Sequence, residues 1–95
     1  LWMRDMTWKI NLSKEADKFL IKNKVGKEEV FEIISKVIKK LQGEDINVDV
    51  RKLKGKWLGF YRCRVGGVRM IFEINFDAFS VFIEVIDFRG GVYKK

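Results

Sequence analysis

Residues 51–72 read RKLKGKWLGFYRCRVGGVRMIF. The segment contains Arg51, Lys52, Lys54, Lys56, Arg62, Arg64 and Arg69 and not one acidic residue. The whole chain has 20 basic and 13 acidic residues, a formal net charge of +7. Setting these seven aside leaves 13 basic against 13 acidic, so the entire charge excess lies in this segment. The same residues read as two β-strands joined at Gly66-Gly67, a dipeptide suited to a tight hairpin turn. In the first strand Arg62 and Arg64 are two apart and share a face, with Tyr61 and Cys63 opposite. Placing Arg62, Arg64 and Arg69 away from the core is expected, because burying unpaired charge is costly. A hairpin of this kind is a candidate surface for a polyanion.

The strands continue on either side. Val68–Asn75 alternates, with Val68, Met70, Phe72 and Ile74 on one face, and Asn75 to Ala78 supply a turn. A strand over Phe79–Ile86 is expected to present Val81, Ile83 and Val85 to the same core. Arg69, Ile71, Glu73, Phe82 and Glu84 then point the other way, where Arg69 has Glu73 or Glu84 within reach as an ion-pair partner. Upstream, a strand is expected to begin at Trp57, with a short extended piece at 48–53.

Two helices precede the sheet. Val30, Ile33, Ile34, Val37, Ile38 and Leu41 recur at steps of three and four, which predicts a helix from Lys27 to about Gln42. Its acids come first and its lysines last, as the helix dipole favours, and Gly43 follows as a natural C′ residue. Ser13 is the expected N-cap of a shorter helix over Lys14–Lys24, broken by Gly26, with Ala16, Phe19, Leu20 and Val25 buried. A first strand over Met6–Leu12 places Trp8, Ile10 and Leu12 on one side. The predicted fold is α+β, in the order β-α-α-β-β-β, with a helical hairpin on one face of a mainly antiparallel sheet.

Composition narrows the function. Ninety-five residues, 47% hydrophobic and 35% charged, fit one folded domain over 1–95, with residues 1–5 as an extension. No apolar run approaches the ~20 residues of a membrane span, and no signal peptide is expected. Cys63 is the single cysteine, so no internal disulfide forms and a cytoplasmic location is the simplest expectation. Cys63 reads as a buried small residue rather than a nucleophile. There is no histidine, so acid–base chemistry must use other side chains, and no metal site or cofactor is expected.

Leu53-Lys54-Gly55, then Tyr61-Arg62-Cys63-Arg64-Val65-Gly66, then Val68-Arg69-Met70-Ile71-Phe72, then Arg89-Gly90-Gly91-Val92-Tyr93 stand in order along the chain. In this they resemble the RelE/ParE toxin superfamily, whose pattern is roughly L-x-G, Y-R-x-R-x-G-x-y-R-x-x-F/Y and R-x-x-x-Y. The resemblance implies a toxin of a type II toxin–antitoxin system that cuts mRNA on the ribosome, without metal, by attack of a ribose 2′-hydroxyl on the adjacent phosphate. It implies that Arg62, Arg64, Arg69, Arg89 and Tyr93 are catalytic, and that a partly acidic antitoxin is the protein partner. Lys52, Lys54 and Lys56 would contact RNA phosphates. Many relatives carry a histidine before the C-terminal arginine, where this chain has Phe88. Two alternatives stand beside this one: a ParE-like inhibitor of DNA gyrase, and a non-enzymatic basic module that binds an acidic protein or nucleic acid.

Overall fold

The computed structural model describes residues 8–88. The chain runs β1 (Lys9–Leu12), α1 (Lys14–Asn23), α2 (Lys27–Leu41), β2 (Asp49–Lys52), a 3-10 turn (Gly55–Trp57), β3 (Tyr61–Val65), β4 (Val68–Asn75) and β5 (Ser80–Phe88). The expected α+β architecture forms, and the short extended piece near residue 50 joins it as β2. The five strands are ordered β1-β5-β4-β3-β2, antiparallel throughout except for the parallel β1–β5 pair. No helix among the described residues is long and apolar enough to cross a membrane.

One side of the sheet carries the core. Cys63, Met70, Phe72, Val81 and Ile83 pack with Ala16 and Leu20 of α1 and with Val30, Ile34, Val37 and Ile38 of α2. Trp8 and Ile10 close the β1 end. No polar or charged residue among those described is buried there. The periodic stripe of α2 is thus spent on the sheet, as its spacing requires.

Helix boundaries follow local chemistry. The Ser13 hydroxyl accepts a hydrogen bond from the Ala16 amide at 3.0 Å, capping α1 as expected. The helix ends differently from expectation. Lys24, not Gly26, takes the left-handed position (φ 56°, ψ 41°), and Gly26 instead starts α2. The Val25 amide donates to the Leu20 carbonyl at 3.0 Å, a helix-terminating bond that holds Lys24 in that geometry.

Two further expectations are corrected. β3 begins at Tyr61 rather than at Trp57, because Gly55 and Gly59 have φ of 67° and 96° and turn the chain between them. Within that loop the Trp57 ring packs edge-on against Phe60, with centroids 5.1 Å apart. On β5 the buried residue after Ile83 is Ile86, not Val85. Phe72 pairs with Ile83 but Ile71 pairs with Val85, leaving Glu84 as an extra residue, a β-bulge. One extra residue reverses which side chains face the core. The bulge also anchors α1: the Ser13 amide donates to the Ile83 carbonyl at 2.9 Å, and the Ser13 hydroxyl donates to the Glu84 carbonyl at 2.7 Å.

Candidate nucleic-acid interface

The face of the sheet opposite the core gathers the arginines, and strand register explains how. Cys63 and Met70 point inward, so Arg62, Arg64 and Arg69 point outward. The tight turn at Gly66 (φ 60°) pairs Val65 with Val68 and hence Arg64 with Arg69, directly opposite each other. Register extends this row across four strands as Asp49, Arg64, Arg69 and Asp87. The neighbouring row reads Arg51, Arg62, Ile71 and Val85.

Like charges facing each other across a strand pair are destabilising. Here each arginine of the central pair has an acid on its far side. Arg69 donates from Nη2 to the Asp87 carboxylate at 3.2 Å. The expected partners for Arg69, Glu73 or Glu84, are therefore replaced by Asp87. The bulge is the reason: without the extra residue, Asp87 would face the core. At the other end Asp49 lies 4.0 Å from Arg64 Nε, 3.6 Å from Arg62 Nη1 and 3.9 Å from Arg51 Nε. Arg62 is the least accessible of these arginines, its side chain 15% exposed against 47% for Arg64 and 74% for Arg51.

The remaining candidates are placed less uniformly. Lys52, Lys54 and Lys56 are exposed. Lys52 pairs with Tyr61, so it lies on the opposite side of β2 from Arg51 and the arginine rows. Lys54 and Lys56 belong to the loop that carries Trp57. Arg89 and Tyr93 lie outside the described residues. Cys63 is buried, and burial pushes its thiol up from 9.0 to about 12 despite the opposing field of Arg62. Such a thiol is protonated at neutral pH and is no nucleophile.

Sequence reasoning did not assign Asp49 or Asp87 to this face. For Asp49 a signal was present, since Asp49 and Arg51 are two apart; the pairing of that edge strand was not. It also missed an open groove of about 420 Å³ between α1 and the Trp57 loop, lined by Lys18, Lys22, Trp57, Glu84 and Val85 among others.

Chemically, the face offers guanidinium groups brought together by strand register and by ion pairs to Asp49 and Asp87. Guanidinium forks bind phosphate in a bidentate manner and stay charged at any physiological pH. No cluster of three potential metal ligands occurs among the described residues.

No protein-family model matches the sequence, and no curated protein does. Solved structures do match. The RelE–RelB complex of the archaeon Pyrococcus horikoshii is similar at 26% identity and a TM-score of 0.55, covering 90% of this chain and 98% of that one. The RelBE2 toxin–antitoxin complex of Mycobacterium tuberculosis is similar at 20% identity and a TM-score of 0.57, over 86% and 98% of the two chains. A conserved hypothetical protein of Helicobacter pylori has a TM-score of 0.64 at 19% identity, over 86% and 94%. With two helices and a five-stranded, mostly antiparallel sheet, the chain has the RelE-like fold of the RelE/ParE superfamily, at low sequence identity to its solved members.

Proposed function

We propose that this protein is the toxin of a type II toxin–antitoxin system and an endoribonuclease acting on mRNA at the ribosome, in the cytoplasm. The observation that carries the reading is the pairing of Arg64 with Arg69, beside Arg62, on the outer face of a RelE-like sheet. The reaction asks for positioning and charge rather than for a covalent protein intermediate. The ribose 2′-oxygen forms a bond to the adjacent phosphorus, the bond from phosphorus to the 5′-oxygen breaks, and a 2′,3′-cyclic phosphate remains. The 2′-hydroxyl proton leaves to solvent or a protein group, and the departing 5′-oxygen gains one.

In this reading Arg69, with Arg62 or Arg64, stabilises the extra negative charge that develops on the phosphoryl oxygens. Asp87 fixes the direction in which Arg69 points. Arg89 near the leaving oxygen and Tyr93 as a stacking or proton-transfer group complete the set by family resemblance. Lys54 and Lys56 extend the positive field toward flanking phosphates. The protein partner is a cognate antitoxin; similar toxins from P. horikoshii, M. tuberculosis and Staphylococcus aureus are found in complexes with theirs. A partner segment carrying acids would neutralise the arginine face and cover an exposed edge such as β2.

The test is translation-coupled mRNA cleavage on ribosomes, with product ends checked for 2′,3′-cyclic phosphate. Cleaved transcripts with those ends are expected. Growth arrest with intact transcripts and falling gyrase activity would replace this reading by the gyrase-inhibitor alternative.

A further inference from the structure

The groove of about 420 Å³ between α1 and the Trp57 loop combines two chemistries. Trp57 and Val85 make it apolar, while Glu15, Lys18, Lys22 and Glu84 bring two charges of each sign to its lining. Each is placed by local structure. Glu15, Lys18 and Lys22 follow one another at three and four residues along α1 and so share a helix face. Trp57 is half-buried in a loop that bonds to itself: the Trp57 amide donates to the Lys54 carbonyl at 3.3 Å, and the Phe60 amide to the Trp57 carbonyl at 2.9 Å. Its ring stands at 80° to that of Phe60. Glu84 is the extra residue of the β5 bulge, and its carbonyl accepts from the Ser13 hydroxyl at 2.7 Å. Val85 stands two strand spacings, about 10 Å, from Arg62 in one cross-strand row, close enough for one RNA strand to meet both.

We propose that this groove takes one base of single-stranded RNA, stacked on Trp57, and that Glu84 selects a base with an exocyclic amino group. An indole offers its π-face to any base, the means by which single strands are held on aromatic side chains. Lys18 and Lys22 are exposed on one wall, and Lys54 and Lys56 on the loop that carries Trp57. Phosphates on either side of the stacked base therefore meet positive charge. An acidic peptide is the other occupant that lysines and an apolar lining suit. Glu15 and Glu84 decide against it, because they repel its carboxylates. A carboxylate is purely an acceptor, so it receives the amino hydrogens of cytosine, adenine or guanine. Uracil presents its pairing-edge N–H between two carbonyl oxygens, which a carboxylate repels. That the strand is mRNA rests on the ribonuclease reading above; the base site itself does not.

The experiment measures binding of short, end-labelled 2′-O-methyl oligocytidylate and oligouridylate by fluorescence anisotropy. The methyl group blocks the attacking oxygen, so affinity is read without cleavage. Wild type is expected to bind the cytidylate about tenfold tighter than the uridylate, the scale of one hydrogen bond to a charged group. Glu84→Gln is expected to bring the two within about twofold, since an amide both donates and accepts. Trp57→Ala is expected to weaken both by about tenfold or more, and Trp57→Phe, which keeps a ring, by less. Should Trp57→Ala not fold, Lys18→Ala combined with Lys22→Ala tests the same groove, and the salt slope is expected to fall by about 1.4. Equal affinity of wild type for the two oligomers, a preference that survives Glu84→Gln, affinities indifferent to Trp57→Ala, or an unchanged salt slope overturns the proposal. So does a peptide of alternating glutamate and leucine whose binding needs Trp57 when that of the oligomers does not. Selectivity lost in Glu84→Gln, with transcripts on ribosomes left intact by wild type, supports the groove and removes the ribonuclease reading. Cleavage by wild type with oligomer affinities indifferent to Trp57 and Glu84 does the reverse.

Discussion

The two faces of the sheet are built from the same strands yet obey opposite rules. On the inner face Cys63, Met70, Phe72, Val81 and Ile83 are at most 1% exposed and no polar side chain among the described residues is buried with them. On the outer face the neighbours of those residues, Arg62, Arg64 and Arg69, meet two carboxylates and are partly exposed. Alternation along a strand therefore separates the apolar core from the charged face by a single residue. The inner face contributes burial of apolar area; the outer face contributes little stability, because half-exposed ion pairs are each worth about 0–1 kcal/mol. What the outer face gains is register: the strand pairing sets Arg64 opposite Arg69, with Asp49 and Asp87 at the two ends of the row.

That contrast can be broken or sharpened by substitution. The largest effect is expected on the inner face. Phe72 is fully buried and stacks on Tyr61 with ring centroids 6.0 Å apart. Phe72→Ala is expected to lower stability by about 3–5 kcal/mol in denaturant unfolding. A loss below ~1 kcal/mol would mean the inner face is not the core of this fold.

Next comes Arg69→Ala on the outer face. It should cost on the order of 3 kcal/mol of transition-state stabilisation, a hundredfold or more in mRNA cleavage. Unfolding free energy should change by no more than about 1 kcal/mol, since the Arg69–Asp87 pair is one-third exposed at each end. Undiminished toxicity in Arg69→Ala would move the chemistry off this face. Because the chain has no histidine, the cleavage rate should also show no transition near pH 6.5 from the protein itself.

A smaller change tests the hinge between the faces. Ser13→Ala removes the cap of α1 and the hydroxyl bond to the bulge at Glu84. A loss of about 1–2 kcal/mol is expected in thermal or denaturant unfolding. If the bulge depends on that bond, cleavage falls as well, because Asp87 loses its register with Arg69. Full activity with reduced stability would show the bulge to be independent of the cap.

A further effect is a pH dependence that only the inner face should show. The Cys63 thiol titrates near 12 when folded and near 9.0 when exposed. Above pH 9 the unfolded chain has lost this proton while the folded chain keeps it, so stability falls as pH rises toward 12. The contribution is about 1.4 kcal/mol per pH unit within that window and nothing below it. It is measured as the difference between wild type and Cys63→Ala in unfolding at pH 8 and pH 10. Equal pH slopes in the two proteins would mean that the thiol is not shielded.

Much of this was legible in the chain. The α2 stripe, the Ser13 cap, the Gly66-Gly67 turn and the segregation of Arg62 and Arg64 from Cys63 all follow from spacing, because each depends on residues within a few positions of one another. The short motifs around Tyr61–Phe72 led to the RelE-like fold for the same reason. Other features depended on distant residues meeting. The bulge at Glu84 leaves no local mark, since it is set by how β5 meets β4 and how α1 docks on it. It turned Val85 outward and Ile86 inward, against simple alternation. It also carried Asp87 to Arg69, a pairing no spacing rule anticipates. Likewise, Asp49 reaches Arg62 and Arg64 only because β2 takes the edge position beside β3 in that register. The sequence by itself determined which residues are apolar, which are charged, and the period at which they repeat. Tertiary structure alone decided which charges face each other, because register across strands is a property of pairs, settled by the packing of the whole sheet against its helices.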